Sequence, residues 1–183
     1  MLNKPTIVLE NTNFPKWENA TNFSGNPARD SFGDTRRKAN ILIPDPEQAK
    51  ELLKAGYNVR QTKPHADEDP SQFQPEYFLV GLLKYRDKNG VPVKYPPRVY
   101  LVNDDGETVL LDEETVGTLD KTRVKNVNVV INPYVYDPIN NKMSLYIRTM
   151  YVEQGLDDDP FAARYRAKRA NAQPDPDDDP FIE

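Results

Sequence analysis

Cysteine is absent from this 183-residue chain, and histidine and tryptophan occur once each. Without thiols there is no disulfide framework, no zinc–thiolate centre and no cysteine nucleophile, a composition that suits a reducing compartment. The lone histidine, His65, sits in a charged, proline-bearing stretch with no nucleophile pattern near it, so it reads as an exposed loop residue. A glycine-rich loop that could cradle phosphates is missing. The aspartate runs lack the alternating spacing and central glycine of a calcium loop. No enzyme, metal site or cofactor is expected. No stretch approaches the ~18 apolar residues of a membrane span, and Met1-Leu2-Asn3-Lys4-Pro5 opens without the apolar core of a secretion signal. The expectation is a soluble, intracellular protein with no membrane partner.

Charge is unevenly spread. The net value is −5, yet residues 171–183 hold Asp175, Asp177, Asp178, Asp179 and Glu183 and no lysine or arginine. The first 170 residues are therefore neutral, with 24 basic and 24 acidic side chains. A neutral body can still present a local basic groove.

The 17 prolines fall between periodic segments or near the C-terminus, which gives a strand-and-turn reading rather than a disordered one. Strands are expected at 6–10, 39–43, 57–63, 76–86, 98–102, 107–111, 124–136 and 142–153. Asn103-Asp104-Asp105-Gly106 is a strong hairpin turn. A helix after the second strand has both ends marked, with Asp45 as N-cap, Pro46 in the first turn and Gly56 as the left-handed stop. Ala49, Leu52 and Leu53 form its apolar stripe. Asp112 caps a second short helix near 113–120, whose buried face would be Val116 and Leu119. This order, with a helix before the closing hairpin, fits a mainly β protein with two short helices built as an OB-like β-barrel. A β-sandwich would give similar signals. Residues 1–156 form the expected body. Residues 157–183 are expected to be a short basic helix, 161–170, followed by a flexible acidic tail.

The candidate site is a set of aromatic and cationic side chains. On 124–136, Val127, Val129 and Ile131 fit an inward face, leaving Tyr134 and Tyr136 on the other. Met143, Leu145 and Ile147 can point inward on the partner strand, leaving Tyr146 and Arg148 outward. Tyr77 and Tyr85 share a face of 76–86, with Lys84 and Arg86 on its other side, and Arg98 shares a face with Tyr100. The polar segment 11–38 adds Trp17, Phe23, Arg29, Phe32, Arg36, Arg37 and Lys38, which together resemble a flap. Aromatic faces stack bases of any identity and cations follow phosphates, so this set points to single-stranded nucleic acid. The bland reading is that the tyrosines are cross-strand pairs and that Trp17 and Phe23 staple the loop.

Several short motifs, in this order, are similar to single-stranded DNA-binding proteins of tailed bacteriophages. They are Asn22-Phe23-Ser24-Gly25, Arg37-Lys38-Ala39-Asn40-Ile41, Ala55-Gly56-Tyr57-Asn58-Val59, Lys63-Pro64, Leu111-Asp112-Glu113-Glu114-Thr115-Val116-Gly117 and Asn132-Pro133-Tyr134. The resemblance runs from about Asn22 to Val152. It implies an OB-type fold, sequence-independent binding of single-stranded DNA, a role in phage replication or recombination, and the host-cell cytoplasm as its place. Asp177-Asp178-Asp179-Pro180-Phe181 resembles the acidic tail that bacterial single-strand binding proteins dock onto replication partners, here with Ile182 and Glu183 after the phenylalanine. The tail is expected to engage replication or recombination proteins or to compete with DNA. The rival expectation is a replication-complex adaptor whose nucleic-acid contact is incidental.

Overall fold

The computed structural model describes residues 4–155. The expected basic helix 161–170 and the acidic tail lie outside the described residues. Nine strands join in one sheet: β1 (Ile7–Thr12), β2 (Thr21–Asn22), β3 (Arg37–Ile43), β4 (Arg60–Gln61), β5 (Tyr77–Leu83), β6 (Arg98–Val102), β7 (Thr108–Leu111), β8 (Val124–Asp137) and β9 (Lys142–Gln154). Five of them make a ring. β1 runs antiparallel to β8, β8 to β9 and β5 to β3, while β9 meets β5 in parallel at Tyr146 and Leu82. The ring closes where the Leu42 N–H of β3 donates to the Asn13 carbonyl just past β1, at 3.0 Å. A first strand flanked by the second and fourth, with third and fifth parallel, is the connectivity of an OB barrel. β6 and β7 extend the sheet from the C-terminal half of β9, with Arg98 to Val102 in parallel register with Thr149 to Glu153.

Alternation drives this arrangement. Leu9, Ile41, Leu79, Val127, Ile131, Met150 and Val152 line the barrel interior and are fully or almost fully buried. β9 keeps one face inward despite a change of parity, because a bulge at Arg148 lets Ile147 and Met150 both turn to the core. Gly81 serves close packing: a Cβ there would lie 2.8 Å from Ile147 Cγ1.

The helix α1 (Pro46–Lys54) begins at Asp45, whose carboxylate accepts from the Glu47 N–H at 3.0 Å, and stops at Gly56, with φ +90°. Ala49 is buried beneath it, but Leu53 is exposed, so the apolar stripe is narrower than its sequence pattern implies. Of the expected strand 57–63 only Arg60–Gln61 pairs with β5. Tyr57 is instead a core residue, its hydroxyl donating to the Pro5 carbonyl at 3.1 Å. The second helix is a 3-10 segment, Val116–Lys121, with Val116 and Leu119 buried as expected. No helix among the described residues is long and apolar enough to cross a membrane.

Candidate nucleic-acid interface

The segment between β1 and β3 is a docked flap. β2 pairs with β3, setting Thr21 opposite Ala39. Asp120, from the 3-10 segment, accepts hydrogen bonds from Thr21 Oγ1 at 2.9 Å, the Phe23 N–H at 2.8 Å and the Ser24 N–H at 3.0 Å. The same carboxylate stands 3.6 Å from Arg29 Nε. Asn22, buried in the flap, closes it on itself by bonding Asn26 through both ends of its amide. The sequence signal for Asp120 is weak, because its partners lie about a hundred residues away.

Between this flap and the β8–β9 hairpin runs a groove of about 860 Å³. Its floor is the outward face of β3 and β5, with Lys38, Asn40, Val80 and Leu82. Trp17, Phe32 and Arg36 stand on the flap side, and Tyr136, Met143 and Ser144 on the hairpin side. Trp17 leans edge-to-face on Phe78, with centroids 5.2 Å apart, and keeps 38% of its surface exposed. Phe32, expected in the flap but not among the stacking rings, projects from the flap tip at 95% exposure. Asp30 shapes that tip by accepting from the Phe32 and Asp34 N–H groups. At the hairpin end, Tyr134 and Tyr146 meet edge-to-face at 6.4 Å, and Lys84 Nζ lies 5.8 Å from the Tyr146 centroid. OB barrels bind oligonucleotides on the face of their second and third strands, between the loops joining strands one and two and strands four and five. Those elements are β3 and β5, the flap, and the hairpin turn.

The flap cations are already paired. Arg36 bonds Asp34 at 2.8 Å, and Lys38 bonds Asp30 and stands 3.8 Å from Asp34. The hydrogen bond from Lys38, with those from the Phe32 and Asp34 backbone, pulls the Asp30 carboxyl down to about 2. The hydrogen bond from Arg36 lowers the Asp34 carboxyl, and Arg36 is itself raised by that bond.

The expected residues thus divide. Trp17, Arg29, Arg36, Lys38 and Tyr136 line the groove, and Lys84, Tyr134 and Tyr146 form the cluster at its hairpin end. Arg98 and Arg148 line a separate cleft beyond Tyr146. The expectation that Phe23 stacks a base is corrected: it is wholly buried, edge-to-face with Phe14 at 5.5 Å. Tyr85 also belongs to the core, because the parity of β5 turns Leu79, Gly81, Leu83 and Tyr85 inward. Its hydroxyl is pushed up to about 12 by burial. Arg37 is held at the barrel end, donating to the Phe23 carbonyl at 2.8 Å over the Tyr85 ring. Arg86 is bound to Glu113 at 2.9 Å and to the Gly90 carbonyl, which fixes a turn. Tyr77 lines a different hollow beside Asn11 and Pro46. Tyr100 stacks on Tyr151 at 4.7 Å, outside the groove.

Among curated proteins there is no match. A solved structure described as "Crystal Structure of gp2.5, a Single-Stranded DNA Binding Protein Encoded by Bacteriophage T7" is similar at 11% identity and a TM-score of 0.35, over 85% of this chain and 94% of that one. The family model described as "Putative phage ssDNA-binding domain" matches residues 19–175, most of the chain. This protein therefore belongs to the phage single-stranded-DNA-binding domain family.

Proposed function

We propose that the chain binds single-stranded DNA without sequence preference and protects it during phage replication or recombination, in the host-cell cytoplasm. One observation carries the reading: the groove across β3 and β5 sets exposed rings on both rims and cations between them. Trp17, Phe32, Tyr136, Tyr134 and Tyr146 offer stacking faces, a contact tolerant of base identity and worth about 1–3 kcal/mol per base. Lys38, Arg36 and Lys84 take the phosphates, exchanging carboxylate partners for phosphate oxygens where they are paired. Residues 1–156 are the binding body in this reading, and 157–183 an appendage whose Asp177-Asp178-Asp179-Pro180-Phe181 segment engages replication or recombination proteins or competes with DNA.

Titration with oligo-dT tests the reading through Trp17, the only tryptophan. Quenching that weakens as salt rises is expected; an unquenched or salt-insensitive signal contradicts it. The second reading is an adaptor with incidental DNA contact. It draws on exposed Val109, Leu110 and Tyr151, apolar surface outside the groove. Truncation after Ala170 separates the two, since an adaptor loses its partners and has no DNA affinity, whereas a DNA binder holds DNA as tightly or more so.

A further inference from the structure

β9 parts company with β5 near Tyr146 and takes β6 as its neighbour from Thr149 onward. Where the sheet forks, a cleft of about 1020 Å³ opens. Two features set it apart. Tyr85 Oη and Asn132 Oδ1 are the buried side-chain polar atoms left without a hydrogen-bond partner among the described residues, and both residues line this cleft. A buried polar group without a partner costs about 1–3 kcal/mol, so two lining one cleft point to a ligand that satisfies them. The cleft also carries Arg98, Arg148 and Lys94, none of which has an ion-pair partner among the described residues, unlike the paired cations of the flap. The bulge at Arg148 is what aims this side chain away from the core.

The cleft lies next to the groove along β9. Tyr146 lines the cleft and also packs against Tyr134 and Lys84 at the groove's hairpin end. Ser144 in the groove and Arg148 in the cleft are four residues apart on one strand, about 13 Å at the rise of a β-strand, which a few nucleotides can span.

We propose that this cleft is a second nucleotide subsite, which takes one base turned out of the bound strand, hydrogen-bonds its edge to the Asn132 amide and the Tyr85 hydroxyl, and holds the flanking phosphates on Arg98 and Arg148. Every nucleobase carries both donors and acceptors on its edge, so the subsite adds affinity without demanding one sequence. The free protein keeps both atoms below the accessible surface, and side-chain movement at the mouth, where Tyr95 is 83% exposed, admits the base. The inference rests on the groove reading given above.

The test uses the full chain and oligo-dT probes, intact or with a single abasic position moved along the strand. Tyr85→Phe deletes only the unpartnered hydroxyl, so its melting temperature is expected to stay or rise while Kd weakens about fivefold, the worth of one hydrogen bond. Asn132→Leu is expected to act alike. In the wild type one abasic position toward a strand end weakens binding, and that penalty disappears in the double variant. Equal Kd values for wild type and both variants, with the wild type still binding, overturn the subsite and leave the groove reading intact; they mean the cleft holds water. Failure of the wild type to bind any oligo-dT overturns the groove reading itself.

Discussion

Asp120 ties the flap to the barrel, and removing its carboxylate releases a specific set of bonds. The side chain is 3% exposed, accepts from Thr21 Oγ1, the Phe23 N–H and the Ser24 N–H, and faces Arg29. Charge-assisted hydrogen bonds contribute about 1.5–3 kcal/mol each, but those sharing one acceptor group do not add, and Ser24 is exposed enough to regain water. Asp120→Ala should therefore cost about 3 kcal/mol in all, because the Thr21 hydroxyl and the buried Phe23 N–H are left without an acceptor. Asp120→Asn keeps one acceptor oxygen for Thr21 and Phe23 but turns an amide N–H₂ toward the Ser24 N–H, donor against donor. Its expected cost is smaller, about 1–2 kcal/mol. Urea denaturation followed by circular dichroism reads the stability, and Trp17 emission reads the flap. Because Trp17 and Phe32 ride on that flap, oligo-dT affinity should fall with it. A loss below about 0.5 kcal/mol for Asp120→Ala, the level of an ordinary surface change, would refute this reasoning.

Gly81→Ala should destabilise by about 1–3 kcal/mol, since the new Cβ meets Ile147 Cγ1 at 2.8 Å and Cδ1 at 3.0 Å; adding Ile147→Val, which removes Cδ1 but keeps Cγ1, should recover only a part of the melting temperature. Replacing Asp30 and Asp34 together by asparagine frees Lys38 and Arg36, so binding should tighten at low salt and the slope of log K against log salt should steepen by about 0.7 per cation freed. Weaker binding by that variant would mean that the pairs hold a binding-competent flap rather than compete with phosphate. The Asp30 carboxyl is lowered in the fold, so its pairing stabilises the flap fully above about pH 4 and is lost as pH falls through about 2. Trp17 emission should therefore hold steady from pH 7 to about 4 and change below that.

Much of the barrel was legible because its strands alternate. Val127, Val129 and Ile131 declare one face of β8 by spacing alone, and Asp45, Pro46 and Gly56 bracket α1 by cap chemistry. β5 gives no such signal. Both of its faces are apolar, with Phe78, Val80 and Leu82 opposite Leu79 and Leu83, because the outward face is a groove floor rather than open surface. Tyrosine parity was therefore no guide there, and Tyr85 fell to the core. The bulge at Arg148 is equally silent, since an extra residue shows only against the register of β8. Phe23 misled for another reason. A polar, glycine-bearing segment reads as an open loop until a distant carboxylate, Asp120, is found to close it.

The cations tell a related story. Composition shows a neutral body and cannot say which charges are spent on one another. Arg29 and Arg86 serve structure, Arg36 and Lys38 are held by the flap's own aspartates, and Arg98 and Arg148 stand unpaired among the described residues at the sheet fork. In the proposed binding, this division makes the electrostatics an exchange of partners in the groove and an addition of partners in the cleft.

Photocrosslinking with an oligonucleotide that carries halogenated uracil, followed by mass-spectrometric mapping, asks most directly where the strand lies. Adducts are expected at Trp17, Tyr136 and Tyr146, the rings that border the groove and its hairpin end. Adducts confined to Tyr77, Tyr100 or Tyr151, with those three rings untouched, would contradict it.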